Sequence, residues 1–487
     1  DNRAPFVALD DAAVASGRVH VPLPTFFTPA QWSHAVQQAA VDTLVVDPTV
    51  AAAWPRLDWM PLDVGGVPMR LARGLRPAGA PPLRAPAGTS RITFTSGSTG
   101  DPKGVCLSTA ALEDVADGVV QALAPLGVQR HLAVLPMSVL LEHVAGMMAA
   151  RRHGATVLLP PLASLGWQGS SRLDIAVFDV RVRELAPDTL ILLPHMLRLW
   201  CEALAAWKRP APPSLKFVAV GGAAVGTTLV DKAGSLGLPV GEGYGLSECG
   251  SVQTLNRPGQ SRAGSVGRPL AHARLRVADD GEIWVAGTRF LGYLGYLGAA
   301  GGPGVPASSP ASSPSPPSPP SSHDEWPTGD LGHIDAEGFV HLLGRKSQRL
   351  ITAYGRNVSP EWVESALQQH AAVAQAVVLG DGQPVLSAVL WPARGADAVD
   401  LATAVQATNQ QLPDYARIGR WVLGTAAFSP ETGLATANGR PRRRVVLERH
   451  AALLGLPQPD PGPSPTSASA TTSAESPSER GPALHAS

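Results

Sequence analysis

The chain has 487 residues, of which 44% are hydrophobic and 16% charged, and its 39 basic and 39 acidic side chains give a formal net charge of zero. A chain of this length is expected to form roughly two to four folding units. The balanced charge argues against a nucleic-acid-binding protein, because phosphate binding needs a surplus of basic residues on one face.

The cysteines and apolar runs indicate which compartment the protein occupies and whether it crosses a membrane. Cys106, Cys201 and Cys249 are far apart, so they indicate neither a disulfide framework nor a Cys-x-x-Cys metal pair, and we expect a reducing, cytoplasmic setting. The longest apolar stretch, 132–150, is interrupted by Glu142 and His143. We therefore expect no transmembrane segment, while peripheral membrane contact stays open. Because the sequence opens on Asp rather than Met, we expect an N-terminal piece to be missing.

Apolar runs and helical segments alternate along the first half of the chain. Such alternation predicts a mostly parallel sheet with helices on its faces. The predicted strands are 19–23, 43–46, 155–159, 189–193 and 216–220, and the predicted helices are 12–15, 29–40 and 196–207.

The pattern changes at 274–285, where two short apolar runs flank Asp-Asp-Gly and predict an antiparallel hairpin. The sequence Asp-Ala-Glu-Gly at 335–338 predicts a second hairpin turn.

We expect an α/β fold with a large N-terminal domain over 1–344 that has mixed sheets, helices and a β-rich subdomain. A small α+β domain is expected over 345–456.

Two stretches have low complexity. Residues 298–323 are rich in Pro, Ser and Gly, and 457–487 have a similar composition. Segments of this kind bury too little apolar surface to offset the entropy lost on ordering. We expect a disordered insertion in a surface loop and a disordered tail.

The strongest local motif is Ile-Thr-Phe-Thr-Ser-Gly-Ser-Thr-Gly-Asp-Pro-Lys-Gly at 92–104. Glycines let backbone N–H groups approach phosphate oxygens, hydroxyls add donors, and Lys103 adds a positive charge. The spacing is not that of a Walker loop, and a flexible Gly/Ser linker would not explain the fixed Pro and Lys.

Further motifs follow in order, and together they resemble the adenylate-forming superfamily of AMP-binding enzymes, most closely its long-chain acyl-CoA synthetases. The resemblance implies ATP-dependent activation of a carboxylic acid as an acyl-adenylate, transfer to coenzyme A, and a mobile small domain. ATP, Mg²⁺ and coenzyme A are the implied cofactors. The motifs are Val-Gly-Gly-Ala-Ala at 220–224, Glu-Gly-Tyr-Gly-Leu-Ser-Glu at 242–248, Trp-Pro-Thr-Gly-Asp at 326–330, Gly-Arg at 344–345 and Tyr-Gly-Arg-Asn-Val-Ser-Pro-Glu at 354–361.

The resemblance also implies roles for single residues. Lys103 would hold the leaving pyrophosphate, Ser247 would donate to the α-phosphate, and Glu248 would bind Mg²⁺. Gly355 and Arg356 would bind coenzyme A, and Ser347 would be the hinge. The implied nucleotide-binding residues are Thr95, Ser96, Gly97, Ser98, Thr99, Gly100, Gly221, Gly222, Ala223, Tyr244, Gly245, Asp330 and Arg345.

Each of these residues also has a structural explanation on its own. Gly221-Gly222 fits an ordinary turn, Glu248 a solvated loop acid, and Asp330 the cap of a turn. His143 and His195 lie among apolar residues and are expected in the core. The segment 245–249 is not a G-x-S-x-G nucleophile motif, because Cys249 occupies the second glycine position.

The segment 428–440 departs from the family pattern at its last residue, where Arg440 replaces the usual lysine. That lysine reaches the substrate carboxylate and the α-phosphate during adenylation. Arg440 keeps the positive charge, but its planar guanidinium is wider and places its charge differently. We therefore treat Arg440 as a catalytic candidate with altered efficiency.

The acid itself is not identified by a motif, although 350–364 and 428–440 resemble the long-chain branch and favour a fatty acid. Two alternatives remain open at this point. One is a fatty acyl-AMP ligase that delivers its product to an acyl carrier protein. The other is a weakened protein that binds a nucleotide or acyl-adenylate without turnover, an alternative that Arg440 keeps open.

Overall fold

A computed structural model describes residues 2–76, 83–95, 102–169, 172–223, 225–288, 290–295, 325–354, 356–436 and 439–457. The predicted disordered insertion at 298–323 lies outside the described residues, as does nearly all of the predicted tail. Ser96, Gly97, Ser98, Thr99, Gly100 and Gly355 also lie outside them.

The helices and strands of the described residues follow one another in a mixed α/β order. The α-helices are Ala4–Ala15 (α1), Pro29–Gln38 (α2), Thr109–Leu123 (α3), Ala149–Arg152 (α4), Ile175–Leu185 (α5), Pro194–Ala206 (α6), Thr227–Ser235 (α7), Pro360–Gln368 (α8), Ala398–Gln411 (α9) and Arg443–Leu454 (α10), with a π-helix at Leu141–Met148. The strands are Leu44–Val46 (β1), Met60–Val64 (β2), Val67–Ala72 (β3), Arg91–Thr95 (β4), Lys103–Leu107 (β5), Arg130–Leu132 (β6), Thr156–Leu158 (β7), Trp167–Gln168 (β8), Arg172–Leu173 (β9), Thr189–Leu192 (β10), Phe217–Val220 (β11), Val240–Leu246 (β12), Ser251–Leu255 (β13), Arg268–Pro269 (β14), Ala273–Val277 (β15), Glu282–Gly287 (β16), Gly292–Tyr293 (β17), Glu325–Ile334 (β18), Val340–Arg345 (β19), Leu350–Ile351 (β20), Asn357–Val358 (β21), Val373–Leu379 (β22), Leu386–Pro392 (β23) and Ile418–Leu423 (β24).

The main sheet has the order β14-β13-β12-β11-β10-β6-β7. Strands β12, β11, β10, β6 and β7 run parallel, and β13 and β14 extend one edge of the sheet by antiparallel pairing. The central strands are almost wholly buried, as expected when helices cover both faces of a parallel sheet. One face packs on α5 and α6, and the other on α3 and the π-helix. The predictions for 155–159, 189–193, 196–207 and 216–220 are confirmed.

The prediction of parallel pairing is wrong for the N-terminal segment. Strand β1 pairs antiparallel with β3, and β3 pairs antiparallel with β2. The β2–β3 turn contains Gly65 and Gly66 with φ of 62° and 82°, the left-handed backbone that a tight hairpin requires. Residues 19–23 form no strand and contribute only an isolated bridge from His20 to Arg91. Alternation of helices and strands does not determine the direction in which strands pair, whereas the Gly65-Gly66 turn makes β2 and β3 antiparallel.

The antiparallel hairpins predicted later in the chain are confirmed. Strand β15 pairs with β16 around the 279–281 turn, inside a sheet of order β15-β16-β18-β19. The turn between β18 and β19 is fixed by Asp335, whose carboxylate accepts hydrogen bonds from the N–H groups of Glu337 and Phe339. A further antiparallel sheet, β17-β5-β4, positions the 92–104 segment.

The chain after Leu350 builds its own core. Strands β22, β23 and β24 form a sheet against which α8, α9 and α10 pack, and two clusters of buried apolar side chains fill it. An added Cβ at Gly344 would collide with Ser359 and Glu361, so α8 lies directly against the end of β19. The fold is α/β with a smaller C-terminal α+β unit, which agrees with the predicted fold class.

The remaining expectations concern buried groups. His143 is buried beside Arg91, and desolvation holds its pKa well below the ordinary value; His195 is half-buried. The three cysteines are buried and free. Within the described ranges, no helix is both long enough and apolar enough to cross a bilayer.

Candidate functional site

Three polar side chains from separate motifs meet through one hydrogen bond and one ion pair. The Tyr244 hydroxyl, on β12, donates to Oδ2 of the Asp330 carboxylate on β18 at 2.6 Å. The Arg345 guanidinium, at the end of β19, lies 2.8 Å from Asp330 Oδ1 through its Nε. Asp330 faces Arg345 directly in the β18–β19 register. The structure therefore brings together Tyr244, Asp330 and Arg345, three of the predicted nucleotide-binding residues.

Burial and charge act against each other at Asp330. Desolvation raises its pKa, and the Arg345 guanidinium and the Tyr244 hydroxyl oppose that rise. The pKa of Tyr244 is held well above its ordinary value by burial and by the neighbouring carboxylate. Thr328 fixes the geometry, since its carbonyl accepts from Arg345 Nη1 at 3.1 Å and its hydroxyl accepts from the Asp330 N–H at 3.1 Å.

Glu248 is held by a tyrosine that no motif identified. It follows β12 in a short 3₁₀ turn with Ser247, and both residues are half-buried. The Tyr293 hydroxyl donates to Glu248 Oε1 at 2.8 Å, and burial together with that carboxylate raises the pKa of Tyr293. Among the described residues, no group of three or more His, Cys, Asp or Glu is suited to hold a metal. A single carboxylate fits Mg²⁺ that takes its other ligands from water and phosphate oxygens.

Gly221 and Gly222 follow β11 and form a turn beside β12, the strand that carries Tyr244. A Cβ at Gly221 would lie 3.0 Å from the Gly243 carbonyl oxygen, so a larger residue at position 221 would push β12 away by a few tenths of an ångström. Gly222 has φ of 82°, and Gly222 and Ala223 are exposed. An added Cβ at Gly245 would collide with the Ser251 backbone. These residues leave an open backbone surface at the carboxyl end of the parallel strands.

Arg440 reaches this surface from the C-terminal unit. Its Nη2 donates to the Gly222 carbonyl oxygen at 2.8 Å. Although the residue has much exposed surface, desolvation of the guanidinium and repulsion from Arg345 lower its pKa, while Asp330 and Glu361 oppose the change. The positive charge of Arg440 therefore lies in the same electrostatic environment as the Tyr244–Asp330–Arg345 group.

The ends of the predicted phosphate loop lie on an antiparallel pair of strands. Thr95 ends β4 and faces Lys103, which begins β5 and is exposed. Strand β17 pairs with β5 and places Tyr293 opposite Val105. The tyrosine that holds Glu248 is thus on the strand paired with β5, the strand that Lys103 begins.

Two predicted residues lie apart from this group. Ser347 is exposed within the 3₁₀ turn Lys346–Gln348. Arg356 is exposed in the turn between β20 and β21, where its backbone exchanges hydrogen bonds with Thr352. Their proposed roles in hinge motion and coenzyme A binding remain predictions.

Sequence analysis missed the residues that hold the site together. Thr328 fixes Asp330 and Arg345, and Tyr293 fixes Glu248, as described above. The Glu282 carboxylate accepts from the Gly329 N–H at 2.8 Å and from Lys346 Nζ at 2.7 Å. Thr328 lies within a recognised motif and could have been included, whereas Tyr293 and Glu282 have no local signal.

Glu242 is a further acidic residue near the site, buried on β12 two positions before Tyr244. Its Oε1 accepts from the Val225 N–H at 3.2 Å, and burial raises its pKa from 4.5 to about 7. With the pKa raised in the folded state, the associated stability is fully present below pH 4.5 and is lost as pH rises through about 7.

We therefore expect Glu242→Gln to melt on the order of a few °C higher than the wild type at pH 8 and at nearly the same temperature at pH 5. Thermal denaturation of both proteins across that range checks this. Parallel curves for the two proteins would show that Glu242 does not titrate as described.

Comparison with known proteins identifies the family. Residues 1–297 match the family model described as AMP-binding enzyme, and 347–454 match the AMP-binding enzyme C-terminal domain. The chain belongs to the AMP-binding enzyme family. This membership confirms the resemblance to adenylate-forming enzymes noted from the motifs.

Several CoA ligases are similar in sequence. The long-chain-fatty-acid–CoA ligase FadD15 of Mycobacterium tuberculosis is 31% identical over 258 residues, which cover 48% of this chain and 40% of the relative. The 2-succinylbenzoate–CoA ligase of Bacillus velezensis is 29% identical over 61% of this chain and 56% of the relative. The indoleacetate–CoA ligase of Aromatoleum aromaticum is 29% identical over 59% and 54%. The chain spans about half the length of the curated relatives it matches.

Solved structures support the fold. The o-succinylbenzoate coenzyme A synthetase (MenE) of Bacillus subtilis, in complex with ATP and magnesium, matches with a TM-score of 0.65 at 22% identity, over 91% of this chain and 87% of that one. The anthranilate CoA ligase AuaEII matches with a TM-score of 0.70 at 19% identity, over 93% and 86%. These matches confirm the α/β fold class.

Proposed function

We propose that this chain activates a carboxylic acid with ATP to give acyl-AMP and pyrophosphate, and transfers the acyl group to coenzyme A. The observation that supports this most strongly is the meeting of Tyr244, Asp330, Arg345 and Arg440 beside Gly222. These side chains come from four separate motifs and from both parts of the chain. Their convergence fits a site for a nucleotide next to a carboxylate.

The nucleotide would lie at the carboxyl end of the main sheet. Adenine would lie beside Tyr244, whose hydroxyl fixes Asp330. Oδ2 of the Asp330 carboxylate accepts a hydrogen bond from Tyr244, and Oδ1 is ion-paired with Arg345. Because a carboxylate oxygen has two acceptor sites, both can still accept from the ribose hydroxyls, while Arg345 keeps the buried charge balanced.

The chemistry gathers negative charge around the α-phosphate. Attack by a substrate carboxylate oxygen forms the mixed anhydride and releases pyrophosphate, so preorganised positive groups must meet the developing charge. Glu248, oriented by Tyr293, would hold Mg²⁺, which neutralises phosphate charge when bound. Lys103 would hold the leaving pyrophosphate, and Ser247 would donate to the α-phosphate. Arg440 would exchange its bond to the Gly222 carbonyl for one to the substrate carboxylate.

The C-terminal unit would rotate between the two half-reactions, with Ser347 as the pivot. Lys346 on one side is bound to Asp280 at 2.6 Å and to Glu282 at 2.7 Å, both on the large unit. Gln348 on the other side accepts from Arg443 Nη1 of the small unit at 2.6 Å. The two neighbours of Ser347 are therefore anchored to different units, which supports a pivot at that residue.

Removing the Lys346 anchor should favour the rotated arrangement. We expect Lys346→Ala to raise the ratio of thioester-forming rate to adenylation rate by about two- to tenfold, a modest change because the lysine is partly exposed. Single-turnover measurement of each half-reaction tests this, with the remote exposed Lys232→Ala as the control. An unchanged ratio in Lys346→Ala would contradict an anchoring role.

A pyrophosphate-release screen tests the proposed function. Purified protein, ATP, Mg²⁺ and coenzyme A are combined with a panel of acids, with fatty acids proposed as the preferred class. The expected products are AMP, pyrophosphate and an acyl-CoA thioester. Thioester formation only on an acyl carrier protein would instead identify a fatty acyl-AMP ligase. Nucleotide binding without pyrophosphate release would identify a binding protein, although the placement of Arg440 at Gly222 favours the enzyme.

A further inference from the structure

The first turn of α8 lies against the end of β19, and Glu361 is at the contact. An added Cβ at Gly344 would collide with the Ser359 hydroxyl and with Oε2 of Glu361. The Ser359 hydroxyl donates to that same carboxylate oxygen at 3.1 Å, and Glu361 is half-buried. Glycine at position 344 therefore leaves room for a carboxylate of the C-terminal unit at the end of a strand of the large unit.

This end of β19 carries an arginine of the candidate site. Arg345 follows Gly344 directly and faces Asp330 across the β18–β19 pairing. Its Nε is ion-paired with Asp330 Oδ1 at 2.8 Å, and Asp330 is buried. Glu361 thus brings a second negative charge close to an ion pair that already has one carboxylate and one guanidinium.

The field of Glu361 reaches both Arg440 and Asp330. Desolvation and repulsion from Arg345 lower the pKa of Arg440, and Glu361 is among the groups that oppose this fall. The same carboxylate adds to the rise in the pKa of Asp330, which burial dominates. In the observed arrangement two guanidiniums and two carboxylates balance. Without Glu361, Arg345 and Arg440 would share the single carboxylate of Asp330.

This balance matters for adenylation, because Arg440 and Arg345 belong to different parts of the chain. Arg440 Nη2 reaches the Gly222 carbonyl oxygen at 2.8 Å, and in doing so it brings its charge toward that of Arg345. Like charges that are partly removed from water repel each other more strongly than they do in water. A carboxylate on the same unit as Arg440 reduces this repulsion as long as the unit is docked.

We propose that Glu361 is a positioning residue for Arg440. Its carboxylate, held beside Gly344, offsets the repulsion between the two guanidiniums. Arg440 is thereby kept at the Gly222 carbonyl while the acid is adenylated. This inference rests on the proposed function, since it takes Arg440 to act in that step. An acid in the first turn of a helix also stabilises the helix N-terminus, so the test must separate the two roles.

A double-mutant cycle shows whether Glu361 acts through Arg440. Glu361→Gln keeps the shape of the side chain and an acceptor for the Ser359 hydroxyl, and it removes only the charge. We expect it to lower ATP–pyrophosphate exchange by about tenfold and to leave thioester formation from preformed acyl-adenylate within about twofold of wild type. In the Arg440→Ala background the same substitution should change exchange by less than about twofold, because the group that it positions is absent.

The matched control is Asp400→Asn. It removes one negative charge from the first turn of α9, where the charge has the same effect on the helix terminus, and it should leave both half-reactions at the wild-type rate. Three results for Glu361→Gln would overturn the inference. They are an unchanged exchange rate, equal losses in the two half-reactions, and the same loss of exchange with and without the Arg440 side chain.

A distance measurement without turnover separates this inference from the proposed function. The native cysteines are buried, so spin labels are attached to Glu202→Cys on the large unit and Arg444→Cys on the C-terminal unit, both at exposed positions. Electron–electron double resonance then gives the fraction of molecules in the docked arrangement. We expect Glu361→Gln to lower the ratio of docked to undocked molecules by at least about threefold. Activation of no acid would overturn the proposed function, whereas equal distance distributions would overturn the role of Glu361 whatever the activity.

Discussion

Glu248→Gln is expected to lower ATP–pyrophosphate exchange by about two to three orders of magnitude, the effect typical of removing one preorganised electrostatic group. The substitution keeps the shape of the side chain and leaves an oxygen that can accept from the Tyr293 hydroxyl. It removes only the negative charge proposed to hold Mg²⁺. The melting temperature should therefore change little while turnover falls.

Two further variants sharpen this prediction. Glu202→Gln changes an exposed acid on α6 and should leave exchange at the wild-type rate. Tyr293→Phe removes the hydrogen bond to Glu248 and should reduce exchange by about tenfold, with partial recovery at high Mg²⁺. If Glu248→Gln stays within about twofold of wild type, another group holds the metal.

Arg440→Ala is expected to reduce adenylation by about 100-fold or more, because the positive group beside Gly222 is lost. Thioester formation from preformed acyl-adenylate should change little, since the C-terminal unit is proposed to rotate away before that step. Arg440→Lys should raise exchange above wild type, since a compact ammonium is placed more easily than a guanidinium. Separate assays of the two half-reactions measure this difference.

The control for this pair is Arg444→Ala. Arg444 is exposed on α10, bonded to Glu448 one turn away, and its loss should affect neither half-reaction. Equal losses in both half-reactions of Arg440→Ala would indicate a general structural role. Wild-type rates for both Arg440 variants would show that residue 440 does not act in the site.

The parts of the fold that could be predicted are those with a strong local signal. The central strands β10 and β11 are continuous apolar runs because helices cover both faces of the sheet. The 279–281 turn specifies its hairpin through Asp-Asp-Gly. The N-terminal strands were predicted with the wrong pairing, because strand identity follows from local sequence while pairing direction depends on connections and turns.

The site was predictable in its residues but not in its contacts. Tyr244, Asp330 and Arg345 belong to separate motifs, and sequence order alone does not show that one carboxylate binds the other two. Tyr293 has no motif at all, since it reaches Glu248 through the pairing of β17 with β5.

Isotope transfer tests the proposed activity most directly. Decanoate labelled with ¹⁸O at the carboxylate is incubated with the protein, ATP, Mg²⁺ and coenzyme A, and the products are analysed by mass spectrometry. If the acid attacks the α-phosphate, one labelled oxygen must leave with the phosphoryl group when the thiol displaces AMP. We predict AMP with a single ¹⁸O and unlabelled pyrophosphate. Acyl-CoA formed together with unlabelled AMP, or with the label in inorganic phosphate, would contradict an acyl-adenylate.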